Sequence, residues 1–229
     1  MIYLIPSFLA DDAIETIPLY VLEAIKNCEV IFAENERTAR RFLKSMSKEI
    51  VIDNFEWYMI HKVEQEQINN FRQKIKEEKN IAIISEAGCP GVADPGQILI
   101  NEAQKMNVVI KPLVGPNSIL LALMASGLNG QHFCFEGYLP IDNLERNKKI
   151  KQLEEESLKN NCTQIFIETP YRNNKLMETV LQHCKPSTRL CIASELTSPN
   201  EWIKTKTIAE WKNQLKDLHK KPVIFLLQG

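Results

Sequence analysis

The chain has 229 residues, of which 44% are hydrophobic and 25% charged, and its formal net charge is −1. These values are ordinary for a globular protein that is long enough for two modest domains. No apolar run reaches the length of a membrane span, and no basic segment precedes an apolar one at the N-terminus. We therefore expect no membrane segment and no secretory signal, and we expect a cytoplasmic location.

Charge and cysteine usage argue against two further classes of protein. Residues 1–115 carry four more acidic than basic side chains, whereas residues 116–229 carry three more basic than acidic ones. This asymmetry is weaker than the basic surface of a dedicated nucleic-acid-binding domain, although it leaves room for an anionic substrate. The six cysteines lack C-x-x-C spacing. We therefore expect free thiols in a reducing compartment and no metal site.

The first half of the sequence alternates apolar strand-like runs with amphipathic helices. Strands are predicted at 1–5, 29–33, 50–52, 81–84 and 108–110, and helices at 19–27, 34–46, 62–79 and 97–106. This alternation is typical of βαβ units with a largely parallel sheet. Asp11 and Asp12 are placed to cap the first helix. The segment 55–61 is predicted to be a loop, whose Trp57 and Tyr58 either stack on a base or pack on the core.

The loop 85–96 is the strongest candidate for a binding site. It contains three glycines and two prolines, and it follows the buried strand predicted at 81–84. In open α/β sheets, ligands bind at the carboxyl ends of the strands. Glycines at such a position let the backbone approach a ligand, and prolines hold the loop in shape. The alternative is a tight strand-to-helix connection that happens to be rich in glycine.

The sequence pattern changes near residue 115. Residues 119–125 form a helix that is apolar on all sides and ends at Gly127. Such a helix has to be covered all round. We place it at a junction between two domains or subunits, or in the core of one domain.

The second half predicts a mixed sheet. Strands are predicted at 133–135, 164–167, 189–194, 201–207 and 222–227, and helices at 144–159, 176–184 and 209–218. The strand at 201–207 alternates in the manner of an antiparallel hairpin. Its Lys204 and Lys206, with Arg172, either attract a phosphate or form a solvated face. The sequence therefore predicts two α/β domains, 1–115 and 116–229.

Five segments, in this order, resemble the motifs of one family. They are S-E-A-G-C-P-G-V-A-D-P-G (85–96), V-G-P-N-S with A-L-M-A-S-G-L (114–128), F-C-F-E-G-Y-L-P (133–140), E-T-P-Y-R (168–172) and A-S-E-L-T (193–197). The family is the tetrapyrrole-methylase superfamily of S-adenosylmethionine (SAM)-dependent methyltransferases. The resemblance is strongest to its small-subunit ribosomal RNA (cytidine-2′-O)-methyltransferases.

This resemblance implies a homodimer in which SAM binds in a cleft between the two α/β domains, with no metal. It also implies which residues contact the donor. From the first domain they are Ser85, Glu86, Ala87, Gly88, Val92, Ala93 and Asp94, and from the second Ser118, Glu168, Thr169 and Leu196. The resemblance assigns no general base. Glu86, Asp94 and Glu168 are candidates, although Asp94 also suits a turn and Glu168 could simply hold Arg172.

Departures from the family pattern concern the acceptor more than the donor. The loop after the first strand, which begins at Pro6, lacks the usual glycine, and Ser194 stands where the family has arginine. We also expect the small helical tail of the RNA-modifying branch to be missing, because the sequence stops at Gly229. The leading hypothesis is a SAM-dependent methyltransferase acting on ribosomal RNA at the ribose 2′-O position. The alternatives are methylation of a tetrapyrrole or other small molecule, and a non-catalytic SAM-binding protein.

Overall fold

The structure, a computed structural model, describes residues 1–11, 13–60 and 64–229. The chain divides into two compact units, Met1–Asn117 and Ser118–Gly229. Each unit contains a five-stranded sheet. Within the described ranges, no helix is both long and apolar enough to cross a membrane.

The first unit is built on a parallel sheet, as predicted. Its elements are β1 (Ile2–Ile5), α1 (Tyr20–Lys26), β2 (Val30–Ala33), α2 (Glu36–Met46), β3 (Glu56–Met59), α3 (Ile68–Lys76), β4 (Ile81–Ile84), α4 (Gln97–Lys105) and β5 (Ile110–Pro112). The strand order is β3-β2-β4-β1-β5, and every pair is parallel. Continuous apolar runs form β1, β2 and β4 because these strands are covered on both faces.

The helices of the first unit lie on opposite faces of this sheet. Ile5, Ile31 and Ile84 pack in one core cluster with residues of α1 and α2. Phe32 and Ile83 pack in another cluster with residues of α3 and α4. The chain therefore leaves β1 toward one face and β4 toward the other. Because β1 and β4 are neighbours, their carboxyl ends form the kind of switch point where α/β sheets bind ligands.

The position of the third strand differs from the prediction. Residues 50–52 were predicted to be a strand, but Ile52–Asn54 form a 3-10 turn and the strand is Glu56–Met59. Ile50, which precedes that turn, is buried, so its apolar side chain reflects packing on the core rather than a strand. The strand forms at 56–59 because these residues pair with β2. The predicted loop at 55–61 is therefore wrong over 56–59, and 61 lies outside the described residues.

The two aromatic side chains of β3 are used in packing. The Tyr58 ring stacks on Phe32 with 4.7 Å between ring centres. Trp57 Nε1 donates a hydrogen bond of 3.2 Å to the carbonyl of Ile52. Of the two alternatives, packing on the core is therefore the one that the structure supports.

Two predicted helix starts also differ. Asp11 does not cap a helix, because its carboxylate pairs with Arg41 at 2.8 Å and α1 has no side-chain cap. Asp12, the other predicted cap, lies outside the described residues. The helix predicted at 62–79 is observed as α3, which begins only at Ile68 after a 3-10 turn. Residues 62 and 63 of that prediction also lie outside the described residues.

The second unit contains the predicted mixed sheet. Its elements are α5 (Ser118–Ser126), β6 (Phe133–Tyr138), α6 (Asn143–Asn160), β7 (Thr163–Ile167), α7 (Asn173–His183), β8 (Arg189–Ser194), β9 (Trp202–Thr207), α8 (Ile208–Lys212) and β10 (Val223–Gln228). The strand order is β6-β7-β10-β8-β9. Only the β6–β7 pair is parallel in this sheet of described strands. Since β10 is antiparallel to both β7 and β8, the strands β6, β7 and β8 end at the same edge.

Helix α5 is covered on one face only. Ile119, Ala122 and Leu123 are buried, whereas Met124 is 80% exposed and Leu120 is about half exposed. Placement of this helix in the core of one domain is therefore wrong. The apolar exposed face is available to another apolar surface.

Candidate functional site

The loop 85–96 lies at the switch point of the first sheet. It follows β4 and is joined to the loop that follows β1 by a two-way backbone bridge between Ser7 and Gly88, with N–O distances of 2.9 and 3.1 Å. Ser7 Oγ adds a hydrogen bond of 3.0 Å to the carbonyl of Ser85. These hydrogen bonds therefore join the loop after β1 to the loop after β4, although the helices that follow the two loops lie on opposite faces of the sheet.

Glycine is required at two positions of this loop. Gly88 has φ of +74°, and a Cβ there would lie 3.4 Å from Leu9 and 3.5 Å from the carbonyl of Pro116. Gly96 has φ of +119° and begins α4. Between them the chain folds back, and the Gly91 amide donates to the carbonyl of Pro95 at 3.1 Å. The shape of the loop therefore depends on backbone conformations that other residues rarely adopt.

Three carboxylates lie close together where this loop meets the end of β2. Glu34 is buried, and its Oε2 accepts the Glu86 amide at 2.9 Å. Asn35 Nδ2 donates to Glu86 Oε1 at 3.2 Å. Burial, together with the negative charges of Glu34 and Glu86, raises the pKa of Asp94 to about 7. Such a concentration of negative charge favours a cationic ligand.

Sequence reasoning missed Glu34 and Asn35 as members of this site. The sequence pattern indicates only that they begin the helix at 34–46, and Asn35 does cap α2 by accepting the Arg37 and Thr38 amides. Their position directly after a buried strand was the available signal. That signal becomes specific only with the strand order, because β2 is adjacent to β4.

A pocket of about 210 Å³ adjoins the loop. It is lined by Ser7, Phe8, Leu9 and Asp11 from the loop after β1, by Thr38, Ala39, Arg41 and Phe42 from α2, and by Ser85, Glu86 and Ala87. Val92, Ala93 and Asp94 are not among these lining residues, and Val92 and Ala93 are exposed. Among the described residues, no three His, Cys, Asp or Glu side chains are grouped so as to hold a metal.

The predicted site residues of the second unit lie at one edge of its sheet. Glu168 and Thr169 directly follow β7, and Leu196 follows β8. Asn129, just after α5, lies at the opposite edge, where its backbone amide donates a hydrogen bond of 3.1 Å to Gln228 Oε1 at the end of β10. Since α5 runs toward that opposite edge, its first residue, Ser118, lies on the same side as the ends of β7 and β8.

Glu168 is already neutralised by its neighbours. It is 5% exposed, and its Oε1 accepts Arg172 Nη2 at 2.6 Å and the Thr169 amide at 2.7 Å. The observed contact therefore supports the interpretation that Glu168 holds Arg172.

The turn around Leu196 is strained and contains polar groups without partners. Leu196 is buried, and its neighbours Glu195 and Thr197 have left-handed φ values of 54° and 68°. The hydroxyls of Ser194 and Thr197 are buried and find no hydrogen-bond partner among the described residues. Strain and unsatisfied groups of this kind cluster at ligand-binding sites.

Comparison with solved structures identifies the class of fold. The chain is similar to the crystal structure of the methyltransferase CobJ, with a TM-score of 0.63, 16% identity, and coverage of 94% of this chain and 89% of that one. It is also similar to uroporphyrin-III-C-methyltransferase from Thermus thermophilus, with a TM-score of 0.58, 15% identity, and coverage of 99% and 91%. At these identities the likeness establishes the fold, which is that of two-domain methyltransferases.

Residues 12–212 match the family described as Tetrapyrrole (Corrin/Porphyrin) Methylases, and the chain belongs to this family. It is similar to Ribosomal RNA small subunit methyltransferase I of Buchnera aphidicola (subsp. Acyrthosiphon pisum), with 30% identity over all of this chain and 79% of the relative. The protein of the same name from Escherichia coli O157:H7 is 28% identical over all of this chain and 77% of the relative. The predicted family is confirmed, and the chain is a SAM-dependent methyltransferase.

Proposed function

We propose that this protein methylates RNA of the small ribosomal subunit, at a ribose 2′-O position. The observation that carries the proposal is the similarity over the full chain to relatives named as small-subunit ribosomal RNA methyltransferases. The structures named for CobJ and a uroporphyrin methyltransferase share only 15–16% identity with it. The sequence is therefore much nearer to the RNA enzymes than to those that act on tetrapyrroles.

The donor site in the first unit comprises, in this proposal, Ser85, Glu86, Ala87, Gly88, Val92, Ala93 and Asp94. When bound, SAM supplies a methyl group on a positively charged sulfur. The carboxylates of Glu34, Glu86 and Asp94 attract that positive charge, and the loop backbone, held by Gly88, positions the donor without rearrangement. Alignment of donor and acceptor supplies up to roughly 7–11 kcal/mol of the barrier in favourable cases.

The second unit contributes Ser118, Glu168, Thr169 and Leu196 to the donor site in this proposal. Their common sheet edge supports it, as do the partnerless hydroxyls of Ser194 and Thr197, which flank this turn. Glu168 acts by holding Arg172 and fixing the turn.

Asp94 is the best candidate for the general base. Transfer to a hydroxyl oxygen forms a C–O bond and breaks the S–C bond, and the hydroxyl proton has to be taken up. A base works best when its pKa is near the working pH, and the pKa of Asp94 is raised to about 7. Glu86 is held by Asn35, and Glu168 by Arg172.

We also propose a cytoplasmic homodimer. The exposed apolar face of α5, with Leu120 and Met124, supports self-association because large apolar side chains are seldom left in water as a group. Light scattering coupled to size-exclusion chromatography tests this, and Met124→Glu is expected to shift the protein toward monomer. A mass unchanged by that substitution would contradict the use of this face.

Calorimetric titration with SAM and with its demethylated product tests the donor site. We expect both to bind wild type, and Glu86→Gln to weaken the binding of SAM more than that of the product, whose sulfur carries no charge. Absence of binding by wild type would contradict the proposal. Binding without methyl transfer to RNA or porphyrinoid extracts would favour the non-catalytic alternative.

A further inference from the structure

The second unit carries lysines set against aromatic rings. Lys206 Nζ lies 5.0 Å from the ring centre of Trp211, Lys216 Nζ 5.1 Å from that of Trp202, and Lys220 Nζ 5.9 Å from that of Tyr171. We call these six residues the lysine–aromatic strip. The first two pairs are contiguous, because the Trp202 and Trp211 rings contact each other edge to face at 5.8 Å.

The strip runs from the edge strand β9 to the predicted donor site. Beyond α8, the chain returns to the start of α7, where the Leu218 amide donates to Asn174 Oδ1 at 2.8 Å. The Lys220 amide then donates to the carbonyl of Pro170 at 3.0 Å. Pro170 directly follows Thr169, so the third pair lies beside the turn that carries the predicted donor residues.

The charge of the strip is mostly uncompensated. Residues 202–221 contain six lysines and two carboxylates, Glu210 and Asp217. Glu210 is engaged in capping α8, where it accepts the Thr207 amide at 2.8 Å, although Lys206 and Lys204 lie close enough to help lower its pKa. Across the described part of the chain, no carboxylate forms an ion pair within 4.0 Å of Lys206, Lys216 or Lys220.

One of the three rings of the strip is exposed, since Trp211 is buried and Trp202 is partly buried against the core. Tyr171 is 70% exposed, although it is bracketed by Lys220 and by His219, whose ring lies 5.8 Å away. No hydrogen bond of its hydroxyl holds it in place in the described residues. Proteins that bind single-stranded nucleic acids use exposed aromatic rings beside cationic side chains. The cations contact the phosphates, and the bases stack on the rings.

We propose that the lysine–aromatic strip binds a single-stranded segment of the RNA acceptor, with Lys206 and Lys216 on phosphates and a base stacked on Tyr171. The inference rests on the proposed function, since it assigns the RNA that is to be methylated a path toward the donor site. It also accounts for how a chain of net charge −1 holds a polyanion, because the basic side chains are concentrated along one path.

The salt dependence of RNA binding tests the lysines. The probe is a fluorescein-labelled, unstructured 20-nucleotide RNA, titrated with the full chain at several salt concentrations. The double variant Lys206→Gln with Lys216→Gln is expected to weaken binding and to lower the log–log salt slope by about 1.4, at about 0.7 per phosphate contact. The control, Lys151→Gln with Lys159→Gln on α6, removes the same charge and is expected to leave the slope unchanged.

Tyr171 gives a second test that does not change charge. Tyr171→Phe keeps the ring and is expected to bind the RNA probe like wild type. Tyr171→Ala removes it and is expected to weaken binding by roughly fivefold or more. Calorimetry with SAM on each variant serves as the folding control.

The outcomes separate this proposal from the proposed function. Equal losses in the strip and control pairs, unchanged binding in all variants, or equally good competition by polyglutamate would each overturn the strip as an RNA site. Wild type that methylates ribosomal RNA in those cases leaves the proposed function standing. Strip-dependent RNA binding without methyl transfer supports the strip and contradicts the proposed function.

Discussion

Asp94 makes the stability of this protein depend on pH. Its pKa is raised from an ordinary 3.8 to about 7, so between these values the folded protein keeps a proton that the unfolded chain has released. The free energy of unfolding therefore falls as pH rises through this window and levels off above about 7. Asp94→Asn is expected to remove this part of the pH dependence and to be more stable than wild type at pH 8.

Urea unfolding at pH 5 and pH 8 measures this effect. The exposed Asp53→Asn serves as the control, and it is expected to follow wild type at both values. An Asp94→Asn variant with the same pH dependence as wild type would show that Asp94 titrates normally in the folded protein.

The same carboxyl group predicts how donor affinity depends on pH. Ionisation of Asp94 above about pH 7 adds negative charge beside Glu34 and Glu86. SAM is therefore expected to bind several-fold more tightly at pH 8 than at pH 6, whereas the affinity of its product, whose sulfur carries no charge, changes less. Calorimetric titration of both compounds at the two pH values checks this, and equal pH dependence for both compounds would refute it.

Pro6 leaves no room for a side chain at Gly115. A Cβ at this position would lie 2.2 Å from Pro6 Cβ and 2.4 Å from its Cγ. Gly115→Ala is expected to destabilise the protein by roughly 1–3 kcal/mol, because the loops after β1 and β5 would have to separate. Gly130→Ala, where no atom lies within 4 Å, is the matched control in the same urea titration. Equal stability of the two variants would contradict this account.

At the level of the elements, substitutions in β3 test whether Trp57 and Tyr58 pack on the core rather than stack on a base. Tyr58→Ala is expected to cost roughly 1–3 kcal/mol, because the ring stacks on Phe32, and to leave RNA affinity unchanged. Tyr58→Phe keeps the stack and is expected to match wild type, since the hydroxyl bond to Glu56 is long and exposed. An RNA-binding loss in Tyr58→Ala without loss of stability would restore the base-stacking alternative.

The elements that sequence predicts well are those whose pattern has one explanation. Strands β2 and β4 are short apolar runs bounded by polar residues, and β1 is a similar run that ends at Pro6. Burial on both faces explains all three runs. Strand β3 carries Glu56 and half-exposed aromatic side chains, so only its pairing with β2 defines it. Helix α1 has no capping side chain, and the predicted cap Asp11 is used by Arg41 instead.

In the candidate site too, the sequence predicts local features but not contacts that depend on the strand order. The loop 85–96 could be recognised from its glycines and prolines, since few other arrangements need so many of them. Glu34 and Asn35 could not, because the contact to Glu86 depends on β2 and β4 being adjacent. The neutralisation of Glu168 by Arg172, four residues later, was an open alternative in the sequence and needed the observed distance to be decided.

At the scale of the whole molecule, the fold of this protein does not by itself identify its methyl acceptor. Folds of this class host different acceptors, so the likeness to tetrapyrrole enzymes does not select the substrate. The full-length similarity to ribosomal RNA methyltransferases does support one. If the acceptor is RNA, transfer is expected to fall steeply with added salt, because phosphate contacts release counterions. Transfer that is insensitive to salt would favour a small-molecule acceptor.

The central claim is that this chain moves the methyl group of SAM to small-subunit ribosomal RNA. Its most direct measurement is incubation with isotopically labelled SAM and undermethylated small-subunit ribosomal RNA, alone and within the subunit, followed by mass spectrometry of the nucleosides. We predict labelled 2′-O-methylcytidine, and its loss when Glu86 is replaced by glutamine. Donor binding with label appearing in porphyrinoid precursors, or in no acceptor at all, would contradict the account.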